Sequence, residues 1–232
     1  MRVLGVDLGQ THDYTAFALI ESHPGPSYNL TFLERPELKT SYPRIVQRLV
    51  ELVRKLEGLA VSDHCQLVVD ATGVGLPVVD SMREVGLSPI AATITGGDTE
   101  NREDWRFRVP KRALVSNAQL LLQRRQLKVA GALPVGPLLI KELEAFKVKI
   151  DPRTAHDSYS AGREGDHDDL VLAVALALWW AEKYSQPVEP PRPKPGTPEY
   201  QKAWEDAYLE RLAERHRAEQ EGDWDLFPPM EP

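Results

Sequence analysis

The chain has 232 residues, of which 42% are hydrophobic and 27% charged, and its formal net charge is −7. This composition is typical of a soluble globular protein, and no apolar run is long enough to span a bilayer. The single cysteine, Cys65, excludes an internal disulfide and a cysteine-based zinc site. The N-terminus lacks the apolar segment and the cleavage site of a signal peptide, so we expect a cytoplasmic protein.

Charge and proline content divide the chain into three parts. We predict one domain over residues 1–185, a proline-rich linker over residues 186–198 and an acidic C-terminal helical tail over residues 199–232. Within the first part, residues 102–128 carry eight basic side chains against two acidic ones. A local basic surface favours contact with phosphate groups even in a chain of negative net charge, although a solvated helix face would show the same pattern.

In chain order, the pattern of apolar and polar residues predicts alternating strands and helices. The predicted strands cover residues 2–8, 14–21, 29–34, 65–70 and 88–94. The predicted helices cover residues 42–57, 76–85, 111–125, 138–146 and 168–183. We expect a polar, mobile connection over residues 95–108 and a hairpin formed by residues 147–150 and 155–160. Three early strands followed by alternating elements predict an α/β fold with a mixed β-sheet flanked by helices.

Aspartates occur at the ends of predicted strands, where α/β folds place their functional sites. Asp7 ends the first predicted strand, Asp70 ends the fourth, and a glycine-containing turn follows each. Asp168 and Asp169 begin the last predicted helix, where one can cap the helix while the other turns toward the sheet, because neighbouring helical residues point about 100° apart. Carboxylate oxygens gathered without cysteine select Mg²⁺ or Mn²⁺. The pattern therefore predicts a divalent metal site.

Four short segments resemble the nuclease domain of the large terminase subunit of tailed bacteriophages. They are GVDLG at residues 5–9, VVDATGVG at 68–75, VPKRAL at 109–114 and HDDLVLAVA at 167–175. The resemblance covers residues 1–183 and implies a ribonuclease H-like fold, related to Holliday-junction resolvases. It also implies an endonuclease that cuts concatemeric viral DNA with two metal ions, Mg²⁺ or Mn²⁺.

The resemblance also implies roles for individual residues. Asp7, Asp70 and Asp169 would be catalytic metal ligands, and Asp168 would be a further ligand or helper. Asp13 matches a recurrent acid near the site of that family, although a turn residue would also account for it. Apart from the resemblance, Lys111 and Arg112 are expected to contact DNA because they begin a predicted helix, and Arg108, Lys147 and Lys149 are further candidates. A solvated surface would account equally well for the two lysines of the predicted hairpin.

The same resemblance sets the expected partners and location. We expect double-stranded DNA as substrate, a separate packaging ATPase or other terminase component as partner, no membrane, and the cytoplasm of a bacterial host for this viral or prophage protein. The chain has no Gly-x-x-x-x-Gly-Lys-Ser/Thr segment, so we expect it not to hydrolyse ATP by itself. His12 and His167 flank the predicted site, either as solvent-side loop residues or as groups that move protons.

Three other functions remain open at this point. The first is a structure-specific junction resolvase with the same chemistry. The second is an ATP-binding protein of the actin and sugar-kinase superfamily, because residues 5–11 and 70–75 resemble its phosphate loops. The third is a non-catalytic scaffold that acts through its acidic tail. The short length and the late Asp-Asp pair weigh against the second, and the retained carboxylates weigh against the third.

Overall fold

A computed structural model describes residues 1–9, 13–23, 27–57, 65–73, 75–150, 157–161, 167–185, 197–198, 201–202 and 206. The chain forms two compact units, Met1–Gln186 and Pro187–Pro232. In the second unit, the Gln201 N–H donates a hydrogen bond to the Thr197 carbonyl, as in one turn of helix. Most of the predicted linker and acidic tail lies outside the described residues, so both stay predictions.

The first unit contains a mixed eight-stranded sheet and a separate two-stranded sheet. The strands are β1 (Arg2–Asp7), β2 (Ala16–His23), β3 (Ser27–Glu34), β4 (Cys65–Asp70), β5 (Ile90–Thr95), β6 (Asn101–Glu103), β7 (Arg106–Pro110), β8 (Leu127–Val129), β9 (Phe146–Ile150) and β10 (Asp157–Ala161). The helices are α1 (Tyr42–Glu57), α2 (Gly75–Glu84), α3 (Lys111–Gln123), α4 (Gly136–Ala145) and α5 (Asp169–Ser185).

The larger sheet has the strand order β6-β7-β5-β4-β1-β2-β3-β8. Strands β1, β2 and β3 form the predicted antiparallel meander, whereas β1, β4, β5 and β7 run parallel to one another. Because β1 and β4 lie at the centre and are covered on both faces, their sequences are nearly continuous apolar runs. Both strands end in an aspartate, and parallel neighbours end at the same edge of the sheet.

Helix α5 covers one face of this sheet, and α1 and α2 cover the other. Every residue from 170 to 181 in α5 is buried, which explains why this helix is apolar on all sides. A Cβ atom at Gly5 would lie 2.1 Å from the Ala173 carbonyl oxygen, so the glycine permits backbone contact between β1 and α5. Asp7 is two strand residues beyond Gly5, and α5 begins one turn before Ala173. The first turn of α5 therefore reaches the end of β1.

Most predicted elements are confirmed to within two residues at each end, and α1 and β4 have the predicted bounds. The predicted hairpin is confirmed as the antiparallel pair β9 and β10. The prediction of a polar, mobile connection over residues 95–108 is wrong, because β6 and β7 extend the sheet there. Exposed arginines alternate with Phe107 and Val109 in β7, and this period-two pattern is that of a half-buried strand.

Among the helices that the structure describes, none combines the length and the apolarity that crossing a bilayer requires.

Candidate metal centre

Asp7 and Asp70 lie side by side at the C-terminal edge of the larger sheet. Val6 pairs with Val69 in the parallel ladder, so the next residue of each strand is an aspartate. Both valines pack on the side of α1 and α2. Because side chains alternate between faces, both carboxylates point toward α5. The charge of Asp70 raises the pKa of Asp7, as expected for neighbouring carboxylates.

Asp169, in the first turn of α5, lies close enough to Asp7 for its charge to raise the pKa of Asp7. Its side chain is buried and accepts a hydrogen bond from the backbone N–H of Tyr14. Its Oδ2 atom has no hydrogen-bond partner among the residues that the structure describes. The His167 Nδ1 atom lies 3.7 Å from this Oδ2 atom. A buried carboxylate oxygen without a donor is costly unless a cation occupies the adjacent space.

Asp168 forms an ion pair with a lysine. Its Oδ2 atom accepts a hydrogen bond of 2.9 Å from the Nζ atom of Lys111, the first residue of α3. The predicted DNA contact Lys111 therefore lies at the acidic cluster itself. Arg112 and Arg108 are exposed nearby in sequence, as expected for phosphate contacts. Lys147 and Lys149 belong to β9, and their side chains lie outside the described part of the structure, as does His12.

Among the described residues, the potential metal ligands that the structure brings closest together are Asp13, His167 and Asp169. One ligand atom each from Asp13, His167 and Asp169 lies within 4.8 Å of the others. A Cβ atom at Gly9 would lie 2.2 Å from the Asp13 carbonyl oxygen, so glycine allows the tight connection that brings Asp13 back to the site. The Tyr14 ring packs edge-on against the His167 ring, with 5.0 Å between centroids. Spacing in the sequence does not reveal this grouping of His167 with the acids.

The carboxylates repel one another in the absence of a cation. Burial raises the pKa of Asp7 well above its usual range, and the neighbouring charges of Asp70, Asp169 and Asp168 raise it further, whereas Lys111 acts against them. Burial also raises the pKa of Asp70, and hydrogen bonds from Thr72 oppose this shift. Added positive charge beside these carboxylates would relieve their mutual repulsion. The donor set of carboxylates with one imidazole fits a divalent cation.

One aspartate occupies the capping position of α5, but its side chain does not make the capping hydrogen bonds. Asp168 is the N-cap residue, because its carbonyl accepts the first helical hydrogen bond, from Leu172. Among the described residues, the side chain that accepts hydrogen bonds from the first-turn amides belongs to Glu142 of α4. The sequence contains no local signal for this contact, because Glu142 precedes α5 by more than twenty residues.

We expect the metal-free domain to lose stability as the pH rises through the range of about 4 to 6. Burial raises the pKa of Asp169 from 3.8 to about 6, so the folded state holds this proton more tightly than the unfolded chain does. The stabilisation is complete below the unfolded pKa and is lost as the pH rises to the folded value, with an upper limit of about 3 kcal/mol. Urea unfolding in EDTA across this range measures the slope. Asp169→Asn should flatten it, and an unchanged slope in that variant would contradict the assignment.

No protein-family model matches the chain, and no curated protein sequence matches it. Solved structures do match. The large terminase nuclease from thermophilic phage G20c is 22% identical with a TM-score of 0.56, and the alignment covers 80% of this chain and 82% of that chain.

Two further solved structures are similar to this chain. The nuclease domain of the large terminase subunit of bacterial virus Sf6 is 16% identical with a TM-score of 0.53, covering 76% of this chain and 87% of that chain. The large terminase nuclease domain from bacteriophage SPP1 is 14% identical with a TM-score of 0.50, covering 78% and 85%. At these identities the likeness concerns the fold. The alignments cover about four fifths of this chain, which therefore has the ribonuclease H-like fold of terminase nuclease domains, as the sequence predicts.

Proposed function

We propose that this protein is a metal-dependent endonuclease that cleaves DNA phosphodiester bonds with two divalent cations. The observation that carries the proposal is the grouping of Asp13, His167 and Asp169, with a buried oxygen of Asp169 left without a hydrogen-bond donor among the described residues. Asp7 and Asp70 lie near enough for the charges of Asp70 and Asp169 to raise the pKa of Asp7. The SPP1 and Sf6 domains were solved with manganese, and a second structure of the G20c domain contains zinc.

The arrangement supports a division of the ligands between two cations. Asp7, Asp70 and Asp169 would hold one, and Asp13, His167 and Asp169 would hold the other, with Asp168 as a helper. Divalent cations held there would supply a water activated for attack on the phosphate and would neutralise charge on the leaving oxygen. Mg²⁺ and Mn²⁺ suit the carboxylates, and the imidazole nitrogen favours Mn²⁺.

The protein's own groups hold the carboxylates in place for this task. The backbone N–H of Thr72 donates a hydrogen bond of 2.8 Å to Asp70 Oδ1, and the Thr72 hydroxyl donates to the same oxygen. The Thr72 hydroxyl oxygen in turn accepts a hydrogen bond of 2.9 Å from the Ile94 N–H. These bonds fix the side chain of Asp70 at the end of β4, so little reorganisation is needed when a cation and a phosphate arrive.

Double-stranded DNA is the proposed substrate, bound through basic residues that lead to the acidic cluster. Arg108 lies near the end of β7, and Lys111 and Arg112 begin α3 immediately afterwards. The amide groups of a helix N-terminus also favour phosphate oxygens. We include Lys147 and Lys149 of β9 in the proposed contact on the basis of their sequence. A packaging ATPase or another terminase component remains the proposed partner, tested by its effect on cleavage.

We expect Lys111→Met to strengthen Mn²⁺ binding and to weaken DNA binding. Removing a positive charge near the cluster lowers the repulsion of a cation by about 1 kcal/mol, or roughly fivefold in affinity. The same change removes a phosphate contact and reduces the salt dependence of DNA affinity. Isothermal titration with Mn²⁺ and DNA titration in EDTA measure the two effects, with the exposed Lys55→Met of α1 as the control. Weaker Mn²⁺ binding in Lys111→Met would contradict the placement of this lysine in the site.

The proposed function is tested by incubating the purified protein with supercoiled plasmid in Mn²⁺, in Mg²⁺ or in EDTA, beside the Asp169→Asn variant. Metal-dependent nicking or linearisation that disappears in the variant is the expected result. Preferred cleavage of four-way junctions over linear duplex would point to a resolvase. Nucleotide binding without DNA, combined with no cleavage in any metal, would overturn the nuclease proposal in favour of an ATP-binding protein.

A further inference from the structure

Glu142 is a buried acidic residue outside the cluster of aspartates. Glu142 belongs to α4, and its side chain, which is 4% exposed, contacts the start of α5. The Oε2 atom accepts hydrogen bonds from the Leu170 N–H at 2.9 Å and from the Val171 N–H at 3.3 Å. Amides in the first turn of a helix have no partner within that helix. Glu142 therefore satisfies two donors at the start of α5 from a different helix.

These two amides are the ones that a capping aspartate would bind. With Asp168 as the N-cap residue, Leu170 and Val171 occupy the second and third helical positions, whose N–H groups an N-cap side chain accepts. If Asp168 made these bonds, its carboxylate would be drawn away from Lys111. Because Glu142 makes them instead, Asp168 and Asp169 keep their carboxylates turned toward the site.

Arg35 connects this cap to the other side of the cluster. Its guanidinium group donates a hydrogen bond of 3.3 Å to Glu142 Oε1 and lies over the Tyr14 ring, 4.1 Å from the centroid. Tyr14 in turn donates its backbone N–H to Asp169 and packs its ring against His167. The Arg35 guanidinium group therefore contacts both Glu142, which caps α5, and Tyr14, which lies beside Asp169.

Stability alone does not explain a glutamate at this position. Burial raises the pKa of Glu142 to about 7, and the charge of Asp169 raises it as well, so ionisation of this group costs folding free energy. An ion pair that is mostly buried is often replaceable by apolar residues without loss of stability. The hydrogen bonds of Glu142 instead fix the orientation of the first turn of α5.

We propose that Glu142, held by Arg35, is a positioning residue that caps α5 from outside and thereby leaves Asp168 and Asp169 available to bind a divalent cation. This inference rests on the proposed function because it assumes that a divalent cation binds at the aspartates. It predicts an effect of a residue that touches neither the cation nor DNA. Removing groups that orient metal ligands typically lowers metal affinity by 10- to 100-fold.

The experiment measures the Kd of the DNA-free protein for Mn²⁺ by electron paramagnetic resonance, together with urea unfolding. Glu142→Met, which keeps the volume but removes both acceptors, should raise the Kd about tenfold or more. Glu142→Gln keeps one acceptor oxygen and should recover most of the affinity. Glu144→Gln and Glu144→Met, on the exposed face of the same helix, are the matched controls and should leave the Kd unchanged.

A wild-type Kd in Glu142→Met would overturn the inference, even if that variant is less stable. If Glu142→Met does not fold, Glu142→Asp decides, because its shorter side chain withdraws the carboxylate from both amides. A Kd raised at least about threefold in Glu142→Asp supports the inference, and an unchanged one overturns it. Wild-type protein that binds Mn²⁺ but cuts no DNA would contradict the nuclease proposal alone. Wild-type protein that binds no Mn²⁺ would overturn both.

Discussion

Asp7→Asn is expected to abolish DNA cleavage while making the metal-free domain more stable at neutral pH. Asp7 contributes a ligand oxygen to the proposed centre, and loss of several kcal/mol of transition-state stabilisation corresponds to a rate about a thousandfold lower. The same carboxylate is buried beside Asp70, Asp168 and Asp169, which raise its pKa. Asparagine has nearly the same shape without the charge, so it removes this repulsion.

The two effects of Asp7→Asn are measured by plasmid nicking in Mn²⁺ and by urea unfolding in EDTA at pH 7.5. Asp80→Asn, an exposed acid on α2, is the control and should change neither quantity. Cleavage at the wild-type rate in Asp7→Asn would remove Asp7 from the centre. Lower stability of this variant without metal would show that the carboxylates are compensated by some means other than a cation.

Gly5→Val is expected to lower the free energy of unfolding by about 3 kcal/mol or more, or to prevent folding. A Cβ atom at this position would lie 2.1 Å from the Ala173 carbonyl oxygen and 2.9 Å from the Ala177 Cβ. No side-chain rotation relieves a collision with a backbone carbonyl, so α5 must move away from β1, and overpacking of this kind is strongly destabilising.

Urea unfolding of Gly5→Val measures the loss of stability, and Mn²⁺ titration of any folded fraction measures the displacement of Asp169 from Asp7. Gly97→Ala is the control, because an added Cβ there has no neighbour within 4 Å. Wild-type stability and Mn²⁺ affinity in Gly5→Val would show that β1 and α5 are further apart than the structure has them.

The parts of the site that local patterns specify could be predicted from the sequence. Asp7 and Asp70 each end an apolar run, and central parallel strands end at one edge of a sheet, so their proximity followed from strand order. The apolar run that begins after Asp169 predicted a helix packed against the sheet. These inferences needed only periodicity and the chemistry of carboxylates.

The parts that depend on tertiary approach could not be predicted. Glu142 caps α5 from another helix, and its own surroundings in the sequence are those of an ordinary amphipathic helix. Arg35 follows directly after β3 and reaches both Glu142 and Tyr14 only in the folded chain. The exposed Arg106 and Arg108 made the β7 segment look like a polar connection in the sequence, although the alternate residues of this strand are buried. In each case the signal is a contact between distant segments.

The contact of Gly5 with the backbone of α5 also bears on which ions the proposed centre can accept. Main-chain atoms meet there without an intervening flexible side chain, so the backbones that carry Asp7 and Asp169 cannot move apart or together by a change of rotamer between them. Ca²⁺ takes oxygen ligands at about 2.3–2.6 Å, whereas Mg²⁺ requires about 2.0–2.1 Å. We therefore expect a backbone frame of fixed width to favour divalent ions of one radius over another.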